Sequence, residues 1–352
     1  MIIFIGAGVS KLFGIPDMQG FIDLFEKDPS ISETELYQNI KKTSTPTFDL
    51  ENLMTILDDL SRKEDDLLSR ISPQTTNFLF KNIEFIDHYI KTEKVKTEAK
   101  ILLEKIKKNI MDKCHTAEID NEDKILDIYD RFFKKMNMLG DPHDSYAESG
   151  DGQLFYPENL KLVTTNYDRC IEKYLEKRQV AVSDDLYRKS TRTLFDISSF
   201  NDGNHIVGLF KLHGSIDLFN IDGIIRHRDH YETKGEEVIY YPAEFSGYQN
   251  IIESPYLELF YLFRDRLNNQ RLWIIIGSSL RDRTICSIMN DFIRLKNDVE
   301  RPKILLVNPD TNTLSRLIDW GFSPLALRIL PIYDPFGSDE TNNTILEKAR
   351  AQ

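Results

Sequence analysis

Cysteine is scarce in this chain: Cys114, Cys170 and Cys286 are all it has, far apart and without a CxxC pair. That excludes a disulfide framework and a zinc ribbon. Long apolar runs are missing too. Met1–Gly6 is apolar but too short for a signal h-region and lacks a basic n-region, and nothing approaches the roughly 20 apolar residues of a membrane span. An excess of positive charge is also absent, because 45 Lys and Arg stand against 57 Asp and Glu, a formal charge of −12. Such a balance argues against a chain built to coat DNA or an anionic membrane. Internal repeats and low-complexity tracts are lacking as well. The expectation is a reduced, soluble, cytoplasmic protein with no membrane association and no direct nucleic-acid binding. What remains is 352 residues, 41% of them hydrophobic, enough for two or three domains with a sizeable core.

Five short β-branched or aromatic runs read as strands of a parallel sheet buried on both faces: Ile2–Ile5, Leu160–Thr164, Ile206–Leu212, Leu272–Ile276 and Ile304–Val307. Each is followed by small or polar residues, and in open α/β sheets ligands bind beyond the carboxyl ends of the strands. The five ends therefore describe one shared site. Between the first two runs, Phe48–Leu60, Leu79–Ile90, Ala99–Met111 and Lys124–Met138 carry apolar residues at helical spacing with hardly any glycine. The fold expected is an α/β, Rossmann-like parallel sheet with helices on both faces and a large all-α insertion between the first two strands. Its boundaries are 1–30 and 158–352 for the sheet domain and 31–157 for the insertion. The seven lysines between Lys91 and Lys108 alternate with glutamates and read as a solvated helix face. Asn137–Asn159 reads as a returning loop, Ser183–Gly203 as an irregular cover. The polar stretch holding His205, His227 and His230 reads as a solvated loop rather than a metal site.

The turn Gly6-Ala7-Gly8-Val9-Ser10 follows a buried strand and opens a helix, where glycines let backbone approach a ligand and N–H groups face an anion. A dinucleotide fingerprint needs a third glycine where Lys11 stands, and no Walker pattern is present. The turn is thus either a tight connection or a nucleotide contact. Gly14-Ile15-Pro16-Asp17 stops a short first helix with a rigid turn. Asn166 offers a carboxamide at a strand end, or a helix cap. His213 titrates near neutral pH and suits a general base, or holds its turn together. Asp168 accepts a hydrogen bond from a ligand amide or compensates a helix N-terminus. Tyr167 and Cys170 fit core packing, and Asp282 is either a helix cap or a ribose contact.

Taken in order, GAGVS-x3-GIPD, Thr164-Thr165-Asn166-Tyr167-Asp168, Leu212-His213-Gly214-Ser215, Gly277-Ser278-Ser279-Leu280 and Leu306-Val307-Asn308 resemble the motifs of the sirtuin superfamily. Met18-Gln19 follows GIPD where that family has Phe-Arg, and its four-cysteine zinc module is missing. These departures, with the helical insertion, are similar to the divergent bacterial branch found in anti-phage defence. The resemblance implies NAD+ as a substrate, with no metal, hydrolysed to nicotinamide and ADP-ribose by Asn166, His213 and Asp168. It implies contacts to the dinucleotide from Gly6, Ala7, Gly8, Val9, Ser10, Pro16, Asp17, Thr165 and Tyr167. Gly277, Ser278 and Ser279 belong by resemblance to the adenosine ribose, and Asn308 to the adenine end. It further implies a toxic effector of abortive infection, held as a homo-oligomer or by a partner. A HerA-type ATPase, a short Argonaute or a phage-protein trigger are the partners of that kind. An NAD-dependent deacylase and a non-catalytic NAD+ or ADP-ribose sensor are the alternatives within the same resemblance.

Overall fold

The computed structural model describes residues 1–44, 48–61, 72–82, 93–137, 160–178, 182–184, 207–221, 224–227, 236–239, 256–268, 270–296, 300–319, 321–322 and 328–351. Ten strands are described: β1 Ile2–Ile5, β2 Leu160–Thr164, β3 Val182–Asp184, β4 Val207–Lys211, β5 Gly214–Ile221, β6 Ile224–His227, β7 Glu236–Ile239, β8 Leu272–Ile276, β9 Lys303–Val307 and β10 Arg328–Ile332. Seven form one parallel sheet in the order β10-β9-β8-β1-β2-β4-β3. The five runs expected from the sequence supply its centre. β1 and β4 are buried at every position, and β2, β8 and β9 at all but one. Such strands must be apolar on both faces, which is why they read as continuous runs rather than alternating ones.

With β3 set aside, the order is that of a Rossmann sheet: β1, β2 and β4 step one way from the centre, β8, β9 and β10 the other. Right-handed crossovers then put the connecting helices on opposite faces. Helix Cys170–Lys177, after β2, packs with Glu122–Asn137, which also packs on Asp339–Arg350; helix Arg283–Arg294, between β8 and β9, packs with Tyr256–Leu267. Aromatic rings fasten the first group. Tyr129 meets Phe13 and Tyr174, Phe133 stacks on Tyr174, and Phe132 meets Phe336 edge-on at 5.0 Å. Each fully buried ring of this kind contributes about 2–3 kcal/mol of transfer free energy.

Between β1 and β2 the helices are Met18–Glu26, Pro29–Ser32, Glu35–Ser44, Leu50–Ser61, Pro73–Lys81, Glu93–Asp120 and Glu122–Asn137. By compactness the chain divides into one unit of Met1–Ile15, His115–Val238 and Ser254–Gln352, and another of Pro16–Cys114 with Ile239–Glu253. In the second unit, Leu50–Ser61 buries Leu53, Met54, Ile56 and Leu57, and packs against Met18–Glu26, Glu35–Ser44 and Pro73–Lys81. Ser72 caps Pro73–Lys81 through the Thr75 amide, with proline at the first helical position, and Asp17 caps Met18–Glu26 through Gly20. This division and the sequence boundary of 31–157 differ at both ends. At the far end the reason is the aromatic face of Glu122–Asn137, which belongs with Tyr174 and Phe336 of the sheet unit. The lysine-rich helix alternates as expected, with exposed Lys94 and Lys100 set four residues before Glu98 and Glu104.

Five strands were not legible, β5 directly after the His213 turn among them. β10 carries Pro331, which an edge strand bonded only to β9 tolerates. β3, at the opposite edge, overlaps the stretch expected to be irregular from Ser183 onward. The stretch around His227, expected as a solvated loop, instead holds β6, paired antiparallel with β5, and β7 on the other side of β5. Residues 138–159 and 185–203, expected as a returning loop and an irregular cover, and also His205 and His230, lie outside the described residues. Among the described residues no helix is long and apolar enough to cross a membrane.

Candidate active site

Ser10 is the hub of the β1–β2 junction. β1 ends at Ile5, and the four-residue helix Ala7–Ser10 turns the buried Ser10 hydroxyl toward the end of β2. Its Oγ donates to Asp168 Oδ2 at 2.6 Å and accepts from Asn166 Nδ2 at 2.7 Å. The second Nδ2 hydrogen goes to the Gly6 carbonyl at 3.1 Å. With two acceptors facing the nitrogen, the orientation of the Asn166 amide is fixed. Its other end is left over: Asn166 Oδ1 is buried and has no partner among the described residues. Thr164 ties the same turn to β1, donating from Oγ1 to the Ile5 carbonyl and accepting from the Asn166 amide. Both Asp168 oxygens are bonded, since Oδ1 accepts at 3.1 Å from the amide of Cys170, the first residue of helix Cys170–Lys177.

Beneath this turn lies a cation that sequence reasoning passed over. Lys211, the last residue of β4, is 3% exposed. Its Nζ donates to Glu172 Oε1 at 2.6 Å, the Asp168 carbonyl at 2.5 Å, Ser215 Oγ at 2.9 Å and the Tyr167 carbonyl at 3.5 Å. Burial alone depresses an ammonium. Here the carboxylates of Glu172, Asp217 and Asp168 outweigh it and hold Lys211 above its ordinary range, so it stays charged. Nearby, burial pushes Glu118 up to about 7. Glu118 accepts from the Arg169 amide at 2.7 Å, at the start of the helix that follows the turn.

On the other side of β1 two glycine loops interlock. The Gly6 and Gly8 amides donate to the Ile276 and Gly277 carbonyls, each at 2.8 Å, and the Val9 amide to Gly6. A Cβ on Gly6 would sit 2.5 Å from Ser278 Cα, and one on Gly8 2.8 Å from the Gly277 carbonyl. The glycines of this turn are thus required by loop-on-loop packing, with these three amides committed inside the protein. Gly277 itself is left-handed, at φ 62. Asn308 Nδ2 braces the Ser278 carbonyl at 2.8 Å, while Arg316, absent from the sequence reading, donates to the Ser279 carbonyl at 3.1 Å.

His213 follows Lys211 at the end of β4 and is 3% exposed. Its Nε2 lies 2.8 Å from Asp282 Oδ2, and Asp282 Oδ1 accepts from the Ile285 amide at 3.0 Å. The structure thus brings Gly6, Ser10, Asn166 and Asp168 into one hydrogen-bonded set, joins Gly6 and Gly8 to Gly277 and Ser278, and links His213 to the loop after β8. Thr165 and Tyr167 sit in the same turn, and Tyr167 lends its carbonyl to the Ile216 amide. Pro16 and Asp17 belong to the other compact unit, where Asp17 serves as a helix cap.

Residues 161–325 match the family model described as SIR2-like domain. The span begins in β2 and ends beyond helix Asn312–Asp319, so it takes in Asn166, Asp168, His213, Gly277, Asp282 and Asn308. It supports a place in the sirtuin-like superfamily and NAD-related activity in general. Gly6–Ser10 lies outside the matched span yet is bonded into it through Ser10 and Asp168. No curated protein matches the chain. Among the described residues there is no group of three or more His, Cys, Asp or Glu that could hold a metal ion.

Proposed function

We propose that this chain hydrolyses NAD+ to nicotinamide and ADP-ribose at the strand-end site of Asn166 and His213. The observation that carries the reading is Asn166 Oδ1, a buried acceptor with no partner among the described residues, beside Ser10 and Asp168, whose polar atoms are engaged. An unfilled buried acceptor costs roughly 1–3 kcal/mol, which a bound hydroxyl or water recovers. Breaking the bond from nicotinamide to ribose passes through an oxocarbenium-like state, which demands orientation, shielding and a positioned water more than many titrating groups. Asn166 fits the holding of a ribose hydroxyl or that water. His213 fits the removal of a proton from it, and Asp168, fixed by Ser10 and Cys170, fits orientation of the amide leaving group.

An enzyme that destroys NAD+ harms its own cell when always active. The reading therefore extends to a defence effector held off by self-association or by a partner, and unrestrained turnover by the purified monomer would remove that extension.

The test is incubation of the purified protein, alone and with the product of its neighbouring gene, with NAD+, followed by chromatography of nicotinamide and ADP-ribose. His213→Ala lowers kcat by about 10²–10⁴-fold and Asn166→Ala by at least roughly 10²-fold. NAD+ binding by calorimetry with no turnover in any state would replace the hydrolase by a sensor. Turnover only with an acylated peptide would replace it by a deacylase.

A further inference from the structure

We infer that Asp282 is a positioning residue for His213, holding the ring in one orientation and in the tautomer that carries its proton on Nε2. The catalytic consequence rests on the hydrolase reading; the pairing does not.

The topology makes the contact unusual. β4 and β8 are separated in the sheet by β2 and β1, which at the ordinary strand spacing puts them roughly 14 Å apart. Yet His213, just past β4, and Asp282, just past β8, approach to 2.8 Å. The two loops therefore arch toward each other over the ends of β2 and β1, where the Asn166 turn and the Gly6 turn begin. Neither partner is a solvated side chain, with 3% of the His213 side chain and 11% of Asp282 exposed.

Asp282 is itself held firmly. Its Oδ1 caps the twelve-residue helix Arg283–Arg294 through the Ile285 amide, and a helix N-terminus favours the ionised carboxylate. An ionised carboxylate only accepts, so the 2.8 Å contact requires the proton to be on Nε2 and makes Nδ1 the basic nitrogen of the neutral ring. A cap alone needs one oxygen, and Ser, Thr or Asn supplies it equally well; the second oxygen is what the histidine uses. The backbone leading to Asp282 is also strained. Leu280, buried, sits at φ 51, a left-handed conformation that is unfavourable by about 1–2 kcal/mol for a residue with a Cβ. Strain of that kind persists where the surrounding structure fixes a geometry. Among the neighbouring charged groups, Lys211 is committed to Glu172, and Asp168 to Ser10 and Cys170, while Asp282 touches the ring.

The pattern Asp-x2-Ile resembles an ordinary helix start, and the sequence holds no sign of which histidine lies opposite. The assignment comes from the three-dimensional contact.

The first test needs no substitution. Nitrogen-15 spectra of the imidazole rings, with His213 assigned by loss of its signals in His213→Gln, give the tautomer of its neutral ring. Nε2–H is expected, and Nδ1–H overturns the proposal. Next, Asp282→Asn keeps the cap and nearly the same volume. NAD+ turnover falls by roughly 10²-fold in kcat with KM little changed, and the His213 spectrum no longer shows the Nε2–H form alone. Asp282→Ser keeps the cap, cannot reach the ring and behaves like Asp282→Asn. A wild-type kcat and an unchanged Nε2–H spectrum in both variants overturns the inference. If the wild type hydrolyses no NAD+ at all, the hydrolase reading fails while the ring spectra still decide the pairing.

Discussion

Lys211 gives the sharpest prediction about what holds the site together. Lys211→Met is nearly isosteric along its stem but removes a buried charge with four acceptors: the Glu172 carboxylate, the Tyr167 and Asp168 carbonyls, and Ser215 Oγ. Glu172 is 4% exposed and its Oε2 already has no partner among the described residues. The substitution therefore strands a carboxylate in the interior. Breaking a buried pair in this way costs about 3–5 kcal/mol, a large share of the roughly 5–15 kcal/mol that keeps a domain folded. The double variant Lys211→Met with Glu172→Met leaves no charge behind and recovers most of the loss, so the two substitutions are strongly non-additive. Urea unfolding at pH 7 measures both, with the fluorescence of Trp273, fully buried in β8, reporting from the same compact unit. A single-variant loss below about 1 kcal/mol, or a double variant at the sum of the two singles, refutes the reasoning.

Two further predictions concern pH and backbone. Burial raises Glu118 from 4.5 to about 7, so between those values the folded state binds a proton that the unfolded chain has released. The stabilisation from the neutral carboxyl is complete below about pH 4.5 and is lost as pH rises through 7, about 3 kcal/mol in all. Glu118→Gln keeps the acceptor for the Arg169 amide, and its urea midpoint falls less than that of the wild type between pH 5 and 8; parallel curves refute this. Gly277→Ala loses more stability than Gly14→Ala although both glycines are left-handed, because a Cβ at Gly277 lies 2.7 Å from the Val9 backbone nitrogen and one at Gly14 clears its neighbours by 3.6 Å. Equal losses of about 1 kcal/mol in urea would show that conformation alone decides both.

The centre of the sheet was legible because β1, β2, β4, β8 and β9 are buried on both faces, which leaves apolar runs that nothing else in the chain imitates. The edges were not, since β3 is three residues long and β10 is interrupted by Pro331. Asn166, His213 and the glycine turns stood out because small and polar residues directly after buried strands have few other reasons to be there. What those residues touch was hidden. A glycine announces close approach without naming the neighbour, and Gly8 approaches Gly277. Lys211 at a strand end reads as a solvated charge until the sheet places Glu172 over it. Asp282 and His213 meet through loops that span two intervening strands, which no local pattern encodes.

β1 occupies the middle of the sheet, yet its partners are distant in sequence: Ile2 pairs with Lys161 on one side and Trp273 on the other. On a ribosome the segment that will become the central strand emerges before either neighbour has been made. The helices between β1 and β2 make short-range contacts and can form early, whereas the sheet waits on long-range pairing, the slow part of folding. The order of synthesis has a chemical meaning. Ser10, Asn166, His213 and Asp282 come from four separate strand ends, so no nascent chain that stops short of β8 and the loop after it can display the assembled site. The set is completed at once, with the closing of the sheet, and not by degrees as the chain grows.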